Sequence, residues 1–510
     1  MPARDQTGWC WSAGARMTEM TILIPVAMVV IAIGNWRSGL GMLIATALLE
    51  GPLRKLAPDQ PVHFVLLPAV VFGAMILSAM VSGVSIRTGT IAGWSRHVAL
   101  PFAVYAGWIL LQALNALSTT GSLVVPIYGI LVYLGPIAAI AFAHQAALRM
   151  GFLGVEEFLW RYGFWAGLTM LTVYLEASSF DWTVLGEVGE GITITDAAGS
   201  FSARSGLFRA SEVAAWHGAA CCCLMITLAM RRGLSMQRAI WLLLFLALMI
   251  GAGILTGRRK MLVTVVVFLC SYTALLFLFT VHAKRLAGIV AGLGLVGFVG
   301  AASFIDLTQQ SLGDRTISYE LYLQRQQSSF SEIPERLVSL GIAPIEWALE
   351  RVGPLGGGVG ISGQGARFVG VDASLVGGAG EGGLGKIVVE IGLPGLAIAL
   401  WLAIAFGRVI NAGMAATAEA APILSPLGLG LAAMLVSNVA SYTVATQAFG
   451  DPFVLILLGL ITGFLLAQPK LAERYRDAMQ EREQAVSPLE PVVIAEAAHG
   501  SRRTNSSPVP

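Results

Sequence analysis

Charge is what this sequence has least of. Only 12% of its 510 residues are Asp, Glu, Lys or Arg, against roughly 25% in soluble domains, which excludes a water-soluble globule. The 32 basic and 30 acidic side chains nearly cancel, leaving a net charge of +2, so nothing in the balance points to a nucleic-acid partner. Cysteine is scarce: Cys10, the run Cys221-Cys222-Cys223 and Cys270. Four of the five lie in apolar stretches without metal-ligand spacing and read as small apolar fillers. The six histidines, at 63, 97, 144, 217, 282 and 499, form no His-x-x-x-His or Glu-x-x-His cluster. There is no Asp-x-Asp pair, and no Gly-rich run ends in Gly-Lys-Ser/Thr. Metal-dependent sugar-nucleotide transfer and a nucleotide P-loop are therefore set aside, and no cofactor is expected.

What is abundant is apolar length. Hydrophobic residues make up 56% of the chain and the mean hydropathy is +0.75. A membrane helix needs about 20 mostly apolar residues, because its backbone must satisfy itself within the segment. Such runs occur near 20–50, 62–82, 99–118, 123–145, 158–176, 211–230, 239–255, 261–281, 286–305, 384–406, 423–446 and 452–468. Asn35-Trp36-Arg37-Ser38-Gly39 interrupts the first, which is either one long broken helix or two short ones. Arg4 and Arg16 precede it without a following small-residue cleavage site, so it reads as an uncleaved span rather than a signal peptide.

Sidedness follows Lys and Arg in short loops. The tail after the last run begins with Lys470, Arg474 and Arg476, which places it in the cytoplasm. Counting back puts 407–422, 282–285, 231–238, 146–157 and 83–98 inside and two long segments, 177–210 and 306–383, outside. A cytoplasmic N-terminus with Arg4 and Arg16 favours twelve spans over thirteen. The expected organisation is an N-terminal segment 1–19, a first bundle 20–305, the large outer loop 306–383, the last spans 384–468 and a cytoplasmic tail 469–510 that starts with a charged helix-like stretch, Leu471 to Ala485, and is disordered after it.

This topology leaves basic pairs on the side where positive charge is avoided: Arg54 and Lys55, Arg204 and Arg209, and Arg258, Arg259 and Lys260. Membrane-edge arginines there suit an anionic lipid headgroup such as a pyrophosphate. Glu212 follows Arg209 by three positions, so one helical turn would pair them. Asp372, Glu381 and Glu390 lie in or after a Gly-rich stretch, and Glu390 is expected either to be functional or to bridge Lys386. Within the large loop, 331–351 reads as an amphipathic helix, and the glycines of 353–360 and 377–383 read as a hinge or lid, with direct ligand contact as the alternative.

Several motifs resemble the O-antigen ligase and polymerase superfamily of bacterial membrane glycosyltransferases. Glu50-Gly51-Pro52-Leu53-Arg54-Lys55 is similar to the Glu-Gly-x-x-Arg-Lys signature of exopolysaccharide polymerases. The segment from Arg204 through Gly206, Phe208 and Arg209 to Glu212 resembles the family's Arg-x-x-Gly-x-Phe element, with Ser211 near its usual Pro. Thr256-Gly257-Arg258-Arg259-Lys260 resembles Ser/Thr-Gly-x-Arg, Arg258 coming one position early. Gly358-Val359-Gly360 and Glu390-Ile391-Gly392-Leu393-Pro394-Gly395 resemble the Gly-x-Gly and Glu-x-Gly-x-x-Gly elements that flank the end of the family's large loop.

The resemblance implies an all-α polytopic membrane protein of the membrane glycosyltransferase (GT-C-like) type, with about twelve transmembrane helices and one large periplasmic loop. It also implies a bacterial inner-membrane location, an undecaprenyl-pyrophosphate-linked glycan as donor, and chemistry without metal or nucleotide sugar. Other polysaccharide-assembly proteins are conceivable partners beside the lipid bilayer. Arg204, Arg258, Arg259 and Glu381 become candidate catalytic residues. Arg54, Lys55, Arg209, Glu212, Lys260, Arg315, Arg367, Asp372 and Glu390 become candidate binding residues. One departure matters: the family's ligases carry a His late in the loop, where this chain has Gly380-Glu381-Gly382-Gly383. A general base would then be Glu381 or Asp372. That shifts the expectation from ligase toward polymerase of lipid-linked repeat units, with a transporter or flippase as the non-enzymatic rival.

Overall fold

The computed structural model describes residues 7–486, apart from 58–59, 179, 181, 187, 189–192, 197–198, 234, 259, 281–287, 293–294, 296–336 and 364–381. Of the expected features, Arg259, Arg315, Arg367, Asp372, Glu381 and most of the run 286–305 lie outside the described residues, as does the tail beyond 486.

The protein is an all-α, multi-pass membrane protein, with nine helices among the described residues long and apolar enough to cross a membrane. Its one sheet there is a two-stranded antiparallel ribbon, β1 (Thr193–Asp196) with β2 (Gly199–Ser202). The first apolar run divides at Asn35, whose backbone is extended and whose side chain caps the next helix at the Arg37 N–H. Two helices result, α1 (Thr7–Gly34) and α2 (Trp36–Leu56). The sequence left one broken helix or two open; the Asn35 cap decides for two.

After α3 (Leu67–Val81) and α4 (Ala99–Thr120) comes a 54-residue apolar helical stretch, Val124–Ala177. Straight, it would run about 80 Å, far beyond a hydrocarbon core of about 30 Å. It folds back at Gly151, whose φ of 72° and ψ of −179° no other residue adopts readily. Helix α5 (Val124–Met170) thus has two arms, continued by the short α6 (Thr172–Ala177). Then follow α7 (Ser211–Arg232), α8 (Met236–Leu255), α9 (Lys260–Phe279), a peripheral α10 (Ala343–Arg351), α11 (Gly383–Ala420), α12 (Ser425–Val444) and α13 (Pro452–Val486).

Side-chain contacts sort the connections between two ends of the bundle. Helix α13 runs beside the first arm of α5 in the same direction: the Tyr128 hydroxyl donates to the Gly450 carbonyl and, further along, Arg474 donates to Leu148. It runs against the second arm, since Phe453 packs on Tyr162 and Phe464 on Phe158. One end gathers 82–98, the Gly151 turn, Gly233, Ser235 and 421–424. There Arg149 reaches the carbonyls of Ser82 and Gly83, Lys470 reaches Thr90, and Glu156 pairs with Arg231 at 3.2 Å. The other end gathers 60–61, 182–186, 204–210, 256–258, 352–363 and 445–451. The described parts of 83–98, 146–157 and 231–238 fall at one end and those of 177–210 at the other, the grouping that charge counting expected. The α7 helix is the hub, buried all round from Ser211 to Leu228. Gly218, Gly253 and Gly430 lie where a Cβ would strike Met261 or Thr227 within about 3 Å, so small residues let its neighbours close in.

Candidate functional site

The second end is organised around one nine-residue stretch, 204–212, which leads from the long connection into α7. Ala210 is extended, so α7 starts only at Ser211. Arg209 therefore precedes the helix, and the expected pairing of Arg209 with Glu212 along one turn does not form. Both charges instead take partners from distant elements. The Arg209 Nε sits 3.0 Å from Glu50 on α2 and donates to Asp451 at 3.1 Å. Glu212 pairs with Arg258 at 2.7 Å, and Arg258 Nε also donates to the Ser211 hydroxyl at 2.9 Å.

The rest of the stretch is held as firmly. Arg204 donates to the Glu176 carbonyl at 2.8 Å, while its Nε is buried without a hydrogen bond. The Glu176 carboxylate accepts from the Ser205 and Gly206 N–H groups at 2.9 and 2.7 Å. Lys55 donates to the carbonyls of Val184, Gly206 and Phe208. Its ammonium clamps the loop to α2, which is a structural task. Gly51 has a reason to be glycine: a Cβ there would lie 2.1 Å from the Leu207 carbonyl. Glu50, Gly51 and Lys55, three positions of the front motif, thus all touch 206–209, and Arg54 donates to the Gln60 carbonyl beside them.

Phe208 stacks on His217 (ring centroids 4.7 Å apart), which stacks in turn on Phe453 and hydrogen-bonds the Tyr162 hydroxyl at 2.8 Å. His217 is a satisfied helix residue that rivets the stretch to α13. Lys260, at the start of α9, donates to Gln447. Among the described residues of this region, Arg54, Lys55, Arg204, Arg209, Arg258 and Lys260 outnumber Glu50, Glu176, Glu212 and Asp451. Among these described side chains the cations exceed the anions by two. Burial alone would lower the Arg209 pKa, but Glu50 and then Asp451 outweigh it and hold the guanidinium above its ordinary range.

Asp451 escaped the sequence reading. Its signal was Gly450-Asp451-Pro452 ahead of an apolar run, a helix cap followed by Pro at the first helical position. Its Oδ1 accepts the Phe453 N–H at 2.8 Å while Oδ2 takes Arg209, so one side chain starts α13 and holds the arginine.

Glu390 belongs to a second, neighbouring cluster. Helix α11 breaks at Gly392 (φ 70°, ψ −178°). Residues 353–363 fill the notch between this break and α4. The N–H groups of Gly357 and Gly358 donate to the carbonyls of Val389 and Glu390, and Val359 donates to Gln112. Gln112 and Asn115 return hydrogen bonds to Leu355 and Gly356. A Cβ on Gly358 would lie 2.4 Å from the Ala116 nitrogen. This part of the Gly-rich stretch is a packed insert, not a lid, and these three N–H groups are not offered to a phosphate. The Glu390 carboxylate accepts from the Ser362 N–H and hydroxyl, at 3.2 and 2.6 Å, in place of the expected bridge to Lys386.

Among the described residues no group of His, Cys, Asp or Glu is arranged to hold a metal ion. No protein-family model matches this sequence, and no curated protein matches it significantly.

Proposed function

We propose that this end of the bundle transfers a lipid-linked glycan: an inner-membrane polymerase joining undecaprenyl-pyrophosphate-linked repeat units at the periplasmic face of a bacterium, on a GT-C-like fold. The supporting observation is the convergence of Glu50-Gly51, 204–212 and Arg258 on one another, as the resemblance in sequence implied for a shared site. In the reaction, an acceptor hydroxyl of one lipid-linked unit attacks the anomeric carbon of the growing chain on another. The carbon–oxygen bond to the diphosphate breaks, the glycosidic bond forms, the polyprenyl diphosphate departs, and the hydroxyl proton passes to a carboxylate or water. Negative charge accumulates on the leaving diphosphate, and fixed guanidinium groups stabilise it without reorganising. Carboxylate partners hold those groups in place beforehand, as Glu212 does for Arg258. A ligase would use the same chemistry with a different acceptor.

One observation favours a transporter instead. The break of α11 at Gly392, beside the buried Glu390, is the kind of discontinuous helix that transporters use. Reconstituted protein separates the readings. Arg258→Lys and Arg204→Lys keep the charge but lose the planar fork, and polymer formation should fall about a hundredfold or more in each while the protein still accumulates in the membrane. Normal polymer length in both variants would sink the assignment. Movement of lipid-linked oligosaccharide across the vesicle without any chain growth would establish the transporter.

A further inference from the structure

The last glycines of the second Gly-rich run open α11. The N-cap is Gly382, which brings no side chain to the helix end, and the first turn carries no acidic residue. The first intrahelical hydrogen bond runs from the Lys386 N–H to the Gly382 carbonyl. The N–H groups of Gly383, Leu384 and Gly385 precede it, and among the described residues nothing accepts from them.

Lys386 closes that turn. It is only 6% exposed, and its ammonium has neither a hydrogen bond nor an ion pair among the described residues. The acid one turn further along the same face, Glu390, is taken by the Ser362 N–H and hydroxyl instead. Helix side chains lean toward the N-terminus, so the ammonium reaches back over the free N–H groups. A buried cation without a partner is costly, and the positive end of a helix is the worst place for one. An anion there would answer both.

We infer that the start of α11 is a phosphate site, built from the N–H groups of Gly383, Leu384 and Gly385 and the Lys386 ammonium. Converging backbone N–H groups with a cation beside them suit a tetrahedral oxyanion. The site is separate from the arginine cluster but at the same end of the bundle. Gly383 lies so close to the Tyr442 carbonyl that a Cβ would overlap it. Tyr442 packs edge-on against Phe449 at 5.2 Å, two residues before the Asp451 that holds Arg209. The phosphate comes from a lipid headgroup or from a soluble phosphate ester. The first source rests on the proposed glycan transfer, in which two lipid-linked units meet and the second diphosphate needs a cation of its own.

Equilibrium dialysis of the full-length protein in detergent tests this, with radiolabelled inorganic diphosphate and radiolabelled farnesyl diphosphate as separate probes. Wild type should bind one equivalent per chain more than Lys386→Met, and Lys386→Arg should keep that equivalent. A difference with farnesyl diphosphate alone assigns the site to a lipid headgroup; a difference with inorganic diphosphate assigns it to a soluble ester. Leu384→Pro deletes one N–H that makes no helical hydrogen bond. It should weaken the same equivalent about tenfold, equivalent to about 1.4 kcal/mol, and it serves alone should Lys386→Met fail to accumulate. Lys470→Met, at the opposite end of the bundle, should bind as wild type. Equal binding by wild type and Lys386→Met with both probes, or the same loss in Lys470→Met, would overturn the inference. The two readings fail separately. A Lys386-dependent equivalent in protein that never elongates a donor would remove glycan transfer and leave the site. Chain growth that Arg258→Lys abolishes, with diphosphate binding unchanged in Lys386→Met, would remove the site and leave the transfer.

Discussion

Arg209 and Arg258 are each held by a carboxylate from another element, and their fates on mutation should differ from those of surface charges. Asp451→Asn leaves Arg209 with Glu50 alone and keeps a polar group to cap α13. Arg209→Ala leaves two buried carboxylates, Glu50 and Asp451, facing each other without a cation. Removing one partner of a buried pair costs about 3–5 kcal/mol, so Arg209→Ala should unfold far more readily in detergent than Asp451→Asn. Comparable melting of the two would mean that Arg209 is not the keystone. Because the Arg209 pKa is raised, its stabilisation is fully present below the ordinary arginine range and is lost only above it. Any pH dependence near neutrality must then come from other groups. The arginines themselves were legible in the sequence, because positive charge stood where membrane topology avoids it. Their partners were not: Glu50 and Asp451 are some 400 positions apart, and only the fold brings both to the one guanidinium of Arg209. The Arg209–Glu212 expectation failed because a single extended residue, Ala210, ends the turn that would have joined them.

At the scale of elements, two glycines break two long helices in the same way and for different purposes. Gly151 reverses the chain where a Cβ would meet nothing within 4 Å, whereas at Gly392 it would lie 2.4 Å from the Leu355 backbone. Replacement of Gly151 by Ala should thus cost only backbone strain, about 1–3 kcal/mol. Replacement of Gly392 should cost that and also dislodge the 353–363 insert. Proteolysis of the insert, measured on both variants in detergent, should increase for Gly392→Ala and not for Gly151→Ala; equal cleavage would contradict the packing described. Helix positions were read well from apolar runs, because burial in a bilayer demands length and little else. The insert was misread as a hinge, because glycine spacing carries no record of whether a neighbouring backbone approaches. In the event Ala116, Val125 and Gly392 do.

At the scale of the whole molecule, the bundle has two ends. Leu153 and Met236 are exposed at one, Leu123 and Leu355 at the other. Tags inserted at the first pair should report the cytoplasm and at the second pair the periplasm, and the reverse result would place the arginine cluster on the wrong face for a translocated lipid-linked donor. The partition into two ends was legible from basic residues in short loops. The division of the first apolar run was not, because Asn35 is short enough to sit inside a helix or to cap the next one, and only its extended backbone shows which. The most direct test of the central claim is chain growth by the purified full-length protein in vesicles supplied with a polyprenyl-diphosphate-linked oligosaccharide. The account predicts a ladder of longer lipid-linked glycans and matching release of polyprenyl diphosphate, both lost in Arg258→Lys. Donor that stays at its starting length with the wild-type protein, or a ladder unchanged in Arg258→Lys, would contradict it.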